Sequence, residues 1–179
     1  MNGKTLLGVV LAGVATFMWG FAFWGATTIP YQVWESVPND AATQAELARM
    51  FPKSGYYGIP SMANNSAEES ASLLQSGAWA MINIDHNPPL PGDVTTMGLG
   101  LIHNIVVMFL LALLIKHLHS NHLRTAILVG LTATVFHNLG DVIWWNYPLN
   151  WKGTLMLYDM GFWMVGGLVL SFFMRDSMA

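Results

Sequence analysis

Apolar positions along the chain fall into four long blocks, and between the first two they thin out into a mixed stretch. The blocks are TLLGVVLAGVATFMWGFAFWG (residues 5–25), MGLGLIHNIVVMFLLALLI (97–115), TAILVGLTATVFHNLGDVIWW (125–145) and TLMLYDMGFWMVGGLVLSFFM (154–174). Each is close to the roughly 20 residues that a helix needs to cross a bilayer core about 30 Å thick. The pattern predicts an all-α integral membrane protein, a four-transmembrane-helix bundle with a small α+β extracytoplasmic cap inserted between the first two helices. Three segments follow: 1–25 is a short cytoplasmic N-terminus and the first span, 26–96 the cap, and 97–179 the other three spans with a cytoplasmic C-terminus. The first block also has the position of a signal peptide. Its apolar run exceeds the usual core of about 7–15 residues and no clear A-x-A site follows, so it reads as an uncleaved anchor.

The mixed stretch is too long for a bare connection and should carry its own structure. DAATQAELARMF (40–51) reads as a helix with Asp40 as its N-cap. SAEESASLLQ (66–75) opens with Ser66 and Glu69 at capping-box spacing. Tyr56–Ile59 and Trp79–Ile84 are short β-rich runs expected to pair. NPPLPGD (87–93) gives a stiff approach to the second span. Asn64-Asn65-Ser66 matches a glycosylation sequon, a pattern frequent by chance.

Composition sharpens the class. The chain is 54% hydrophobic and 9% charged, against about one quarter charged in soluble domains. A net charge of −3 with scattered basic residues gives nucleic acid no footprint. Without cysteine there is no disulfide framework, thiolate metal site or thiol nucleophile. Lys4, Lys116, Arg124 and Arg175 fall on one side of the spans, and Lys152 alone lies in a short loop on the other. The positive-inside rule then puts both termini in the cytoplasm, in a membrane of bacterial inner-membrane style, with Trp24, Trp144, Trp145 and Trp151 at the outer interface.

The candidate chemistry is inside the blocks. At 1.5 Å per residue, His103 sits about 9 Å below the outer end of its span, His137 about 12 Å, Asp141 about 6 Å and Asp159 about 8 Å. Gly130, Thr134, His137 and Asp141 share one helical face, with Asn138 beside it. Charge facing lipid is costly, so this layer is expected to converge inside the bundle in its outer half. On the first span Gly8, Ala12, Thr16 and Gly20 form a small-residue ridge for close helix packing.

The layer has several readings. It can be purely structural, with the two His, the two Asp, Asn104 and Asn138 hydrogen-bonding across helices. His103, His137, Asp141 and Asp159 could hold a divalent metal, since imidazole and carboxylate suit Zn, Fe or Mn. His103 and His137 could be the axial pair of a b-type haem. A proton relay, or a pocket for a quinone or lipid headgroup, is a further option. KHLHSNHLR (116–124) brings His117, His119 and His122 together but reads as a solvated turn, and His86 as a loop residue. Ser171 and Ser177 have no base nearby, and there is no Walker loop, dinucleotide fingerprint or GxSxG elbow.

The function expected from these features is a small membrane accessory subunit, not an enzyme, packing beside larger membrane partners or copies of itself. The alternatives are a haem b- or metal-binding redox subunit built on His103 and His137, and a small oligomeric transporter or membrane enzyme using His137, Asp141 and Asp159.

Overall fold

The computed structural model describes residues 1–118 and 121–174. It divides into two compact units, one formed by Met1–Glu35 with the chain from Gly92 onward, the other by Ser36–Pro91. His119, Arg175 and Ser177 lie outside the described residues.

The first unit contains four helices long and apolar enough to cross a membrane. Helix α1 (Gly3–Phe21) starts at Asn2, whose side chain accepts the Thr5 backbone N–H, and runs on through a widened π turn at Ala22–Ala26. A single 3₁₀ turn at Ile29–Tyr31, with Pro30 buried, keeps residues 28–34 with this unit.

The second unit holds α2 (Asp40–Met50), β1 (Gly55–Ile59), α3 (Ala67–Ser76) and β2 (Ala80–Ile84). The strands pair antiparallel with Tyr57 opposite Ile82, as the β-rich runs predict. The α2 N-cap is Asn39, one residue before the expected Asp40. Its side chain accepts from the Ala42 N–H, and Asp40 becomes the first-turn acid that favours a helix N-terminus. Ser66 and Glu69 form the full capping box on α3. Donation from the Ser66 backbone N–H, then from its hydroxyl, holds the Glu69 carboxyl below its ordinary pKa. His86 ties β2 back to the end of α2: its N–H donates to Ser54 Oγ at 3.0 Å and its Nε2 lies 2.7 Å from the Phe51 carbonyl oxygen.

Returning to the first unit, α4 (Val94–Leu118) begins where the Asp93 carboxylate accepts the Thr96 N–H and hydroxyl, which lowers the Asp93 pKa. Helix α5 (His122–Trp145) ends at Asn146, which takes the left-handed conformation at φ 52°. Asn tolerates that region better than most residues, and the reversal it allows starts α6 (Leu149–Met174) within three residues.

α1 packs on α4 and α6, and α6 also packs on α5. Between helices in lipid, apolar burial is a weak drive, so close approach of small residues decides the seams. Gly8 meets Phe173, Gly13 meets Ile105, Gly161 lies under the Trp19 ring and Gly130 under Trp163. The expected ridge therefore does face neighbours: Gly8, Ala12 and Thr16 are buried. Met108, Leu111, Ile115, Leu170 and Met174 fill the core between them.

Candidate functional site

Two linked polar pairs of the bundle, Asp141 with Lys152 and Asn138 with Asp159, lie on the seam between α5 and α6. The tight turn after Asn146 sets the last turns of α5 against the first turns of α6. Lys152, one turn into α6, consequently reaches back to Asp141, one turn from the end of α5. Lys152 Nζ donates to Asp141 Oδ2 at 2.5 Å. The lysine side chain is 5% exposed and the aspartate 22%. The ammonium also lies 4.8 Å from the centroid of the Tyr147 ring, within cation–π range.

One and two turns deeper, Asn138 is fully buried. Its Nδ2 donates to Asp159 Oδ2 at 2.8 Å and to the Thr134 carbonyl at 3.1 Å. Asn138 Oδ1 and Thr134 Oγ1 are buried without a hydrogen-bond partner among the described protein groups. A buried polar atom left unpaired costs about 1–3 kcal/mol. The seam thus carries more polarity than it satisfies internally.

The expectation that His103, His137, Asp141 and Asp159 converge inside the bundle is corrected by this arrangement. Asp141 and Asp159 face the seam, but each has its own partner. His137 is turned outward, its side chain 68% exposed, with Nε2 3.9 Å from Asp141 Oδ2, too far for a hydrogen bond. His103 is also exposed, and its Nδ1 sits 3.3 Å from the Oδ1 of the neighbouring Asn104. No group of three or more His, Asp or Glu among the described residues is placed to hold a metal ion. The reason lies in the rotation of α5. Its buried stripe runs His122, Ala126, Gly130, Thr134 and Asn138 at a spacing of four, so Asn138, not His137, is at the centre of the packed face.

Lys152 is the residue that sequence reasoning missed. It was expected in a loop, yet it lies within α6 and is buried. A signal was available: Lys152 and Asp159 are seven apart, two turns on one helical face, so extending the fourth span backward by one turn aligns them. Of the histidines in 116–124, His122 is buried in the first turn of α5 instead of solvated.

At the α1 end of the bundle a second group of side chains gathers. Phe23 is buried and touches Trp19, Trp24 and Tyr158. Trp24 continues outward to Tyr31 and Trp151. Comparison with known proteins finds no matching family model, no matching curated protein and no matching solved structure.

Proposed function

We propose that the chain is an integral membrane accessory subunit that docks through the outer faces of α4 and α5 against the helices of a partner protein or of another copy. The observation that carries this reading is the outward placement of His103 and His137 on helices whose other outer residues are apolar, such as Ile102, Val106, Val135 and Phe136. A full charge facing hydrocarbon costs roughly 2.5–3.5 kcal/mol on the insertion scale, and a neutral imidazole facing it still leaves ring nitrogens unsatisfied. A neighbouring helix that offers hydrogen-bond partners removes that penalty. The interior charges support the same view, because Lys152 neutralises Asp141 and Asn138 occupies Asp159.

The membrane is of bacterial inner-membrane type in this reading, with both termini cytoplasmic and residues 26–96 outside. The Lys4, Lys116 and Arg124 asymmetry supports that orientation. Reporter fusions at Asn65 and at the C-terminus test it. A C-terminal reporter active only outside the cytoplasm refutes it.

A photoreactive amino acid placed at Phe136 or Ile102 in native membranes tests the docking faces. Discrete protein adducts at both positions, and none at Val10 on the outer face of α1, are expected. Lipid-only adducts at all three positions refute the reading.

A second reading keeps the haem or divalent metal. Since both histidines point out of the bundle, such a group would lie between chains. An optical spectrum with a Soret band, or stoichiometric metal in the purified oligomer, supports it, and colourless metal-free protein with intact assembly removes it.

A further inference from the structure

We propose that the groove beside the first turns of α5 binds an anionic phospholipid, with Arg124 holding the headgroup phosphate. The groove has a volume of about 430 Å³ and is lined by Leu118, Asn121, Arg124, Thr125, Leu128 and Val129. That volume falls within the roughly 300–1,000 Å³ of small-molecule sites. The groove exists because α5 packs mainly on α6 and meets α4 over little of its length. Asn121, Arg124, Thr125 and Leu128 recur at the three- and four-residue spacing that puts side chains on one helical face. Leu118, at the end of α4, is the facing wall.

The lining is graded along the helix axis. Asn121, Arg124 and Thr125 stand at the end of the span, and Leu128 is one turn, roughly 6 Å, deeper than Arg124. Val129 continues the apolar end beside Leu128. A phospholipid has the same gradient, a charged headgroup followed by hydrocarbon. A soluble anion would leave the apolar wall unused, whereas an acyl chain covers Leu128, which is 52% exposed.

The sign of the headgroup follows from Arg124. Its backbone N–H donates to Asn121 Oδ1 at 3.0 Å, which holds the first turn of α5. Its guanidinium makes no ion pair among the described residues. No Asp or Glu occurs between Asp93 and Asp141, and both of those lie at the opposite ends of α4 and α5. The guanidinium is therefore left to an anion from outside these two helices. Its forked N–H donors match two oxygens of a phosphate, and basic pockets between membrane helices are a recurrent site for acidic lipids. Lys116 has the same charge at the same end, but it lies two residues before Leu118, roughly 200° round α4, and so on another face.

Native mass spectrometry of the full chain released from detergent micelles tests the groove, with equimolar phosphatidylglycerol and phosphatidylcholine of identical acyl chains as probes. The first lipid bound should be phosphatidylglycerol, favoured about fivefold, the effect of one basic residue at a membrane surface. Arg124→Gln should bring the ratio to within twofold of unity, and Arg124→Lys should retain most of it. Leu128→Trp, which fills the apolar end, should lower phosphatidylglycerol occupancy at least twofold, and Lys116→Gln should leave it unchanged. Excess glycerol phosphate at constant ionic strength should not displace the lipid. A ratio near one in the parent chain, equal losses in Lys116→Gln and Arg124→Gln, or full occupancy in Leu128→Trp overturns the proposal. Displacement by glycerol phosphate assigns a soluble anion and overturns it too. Arg124 and Leu128 are exposed, so their variants should fold, and far-UV circular dichroism checks that they do. The proposal rests on the reading of α4 and α5 as membrane spans, which co-flotation of the chain with phosphatidylcholine vesicles tests separately. A chain that does not float defeats both, and one that floats without lipid preference defeats the groove alone.

Discussion

Removing either half of the Lys152–Asp141 pair should destabilise the bundle, and the two halves should not be equivalent. Breaking a buried ion pair from one side costs about 3–5 kcal/mol, most of it the penalty of the charge left behind. In Asp141→Asn the residue left behind is an ammonium on a side chain 5% exposed, with a neutral amide and the Tyr147 face for company. That variant belongs at the upper end, about 5 kcal/mol. In Lys152→Met the residue left behind is a carboxylate on a side chain 22% exposed, which can recruit water, so the loss should be nearer 3 kcal/mol. Replacing both charges, Asp141→Asn with Lys152→Met, removes the orphan in each case and should recover to within about 2 kcal/mol of the parent, since buried pairs often trade evenly with apolar groups. Reversible unfolding in mixed micelles, followed by far-UV circular dichroism, gives all three values and closes the double-mutant cycle. Equal losses in the two single variants, or a double variant as unstable as their sum, would refute the argument that the orphaned charge sets the energy.

Gly161→Ala and Gly130→Ala each drive a methyl into an indole ring, of Trp19 and Trp163 respectively. Overpacking of this kind costs about 1–3 kcal/mol, whereas Gly140→Ala enters open space and should gain up to about 1 kcal/mol of helix propensity, all read by the same unfolding assay. Ser66→Ala should cost α3 about 1 kcal/mol, measured by amide exchange. The lowered Glu69 pKa means that its support for α3 is complete above the ordinary carboxylate pKa and fades as pH falls through the depressed one. Protection of α3 amides should therefore hold from neutral pH to mildly acidic pH and drop only below the ordinary carboxylate range, and Glu69→Gln should flatten that profile.

The helices were legible in the chain because four apolar blocks, each about as long as a bilayer crossing needs, stand out from the mixed stretch around them. The expected spans 97–115 and 125–145 lie within α4 and α5, and short by no more than one turn at either end. Capping chemistry is local too, so Ser66 and Glu69 could be read directly, while Asn39 and Asp40 differed by a single residue. Helix rotation was harder. A membrane helix is apolar on both faces, so hydrophobic periodicity does not mark its packed side. On α5 the mark is the small and polar run Ala126, Gly130, Thr134 and Asn138, and reading it by that rule turns His137 outward. The start of α6 was placed late because Lys152 read as a loop residue. The tertiary pairing with Asp141 accounts for a buried lysine in that turn.

The order in which helices touch has a consequence for biogenesis. α1 is synthesised first, yet the helices that cover Gly8, Gly13 and Thr16 are encoded beyond residue 94 and, for α6, beyond residue 149. α5 and α6, by contrast, are joined by a three-residue turn and share the Asp141–Lys152 pair. Local pairs form before distant ones because less chain entropy is lost in closing them. Assembly should then begin with the α5–α6 hairpin, while α1 waits in the bilayer with its ridge uncovered. A ribosome stalled before α6 would leave both an unpaired aspartate and a bare small-residue face, the kind of lesion that membrane quality-control proteases and insertion chaperones meet in unassembled helices.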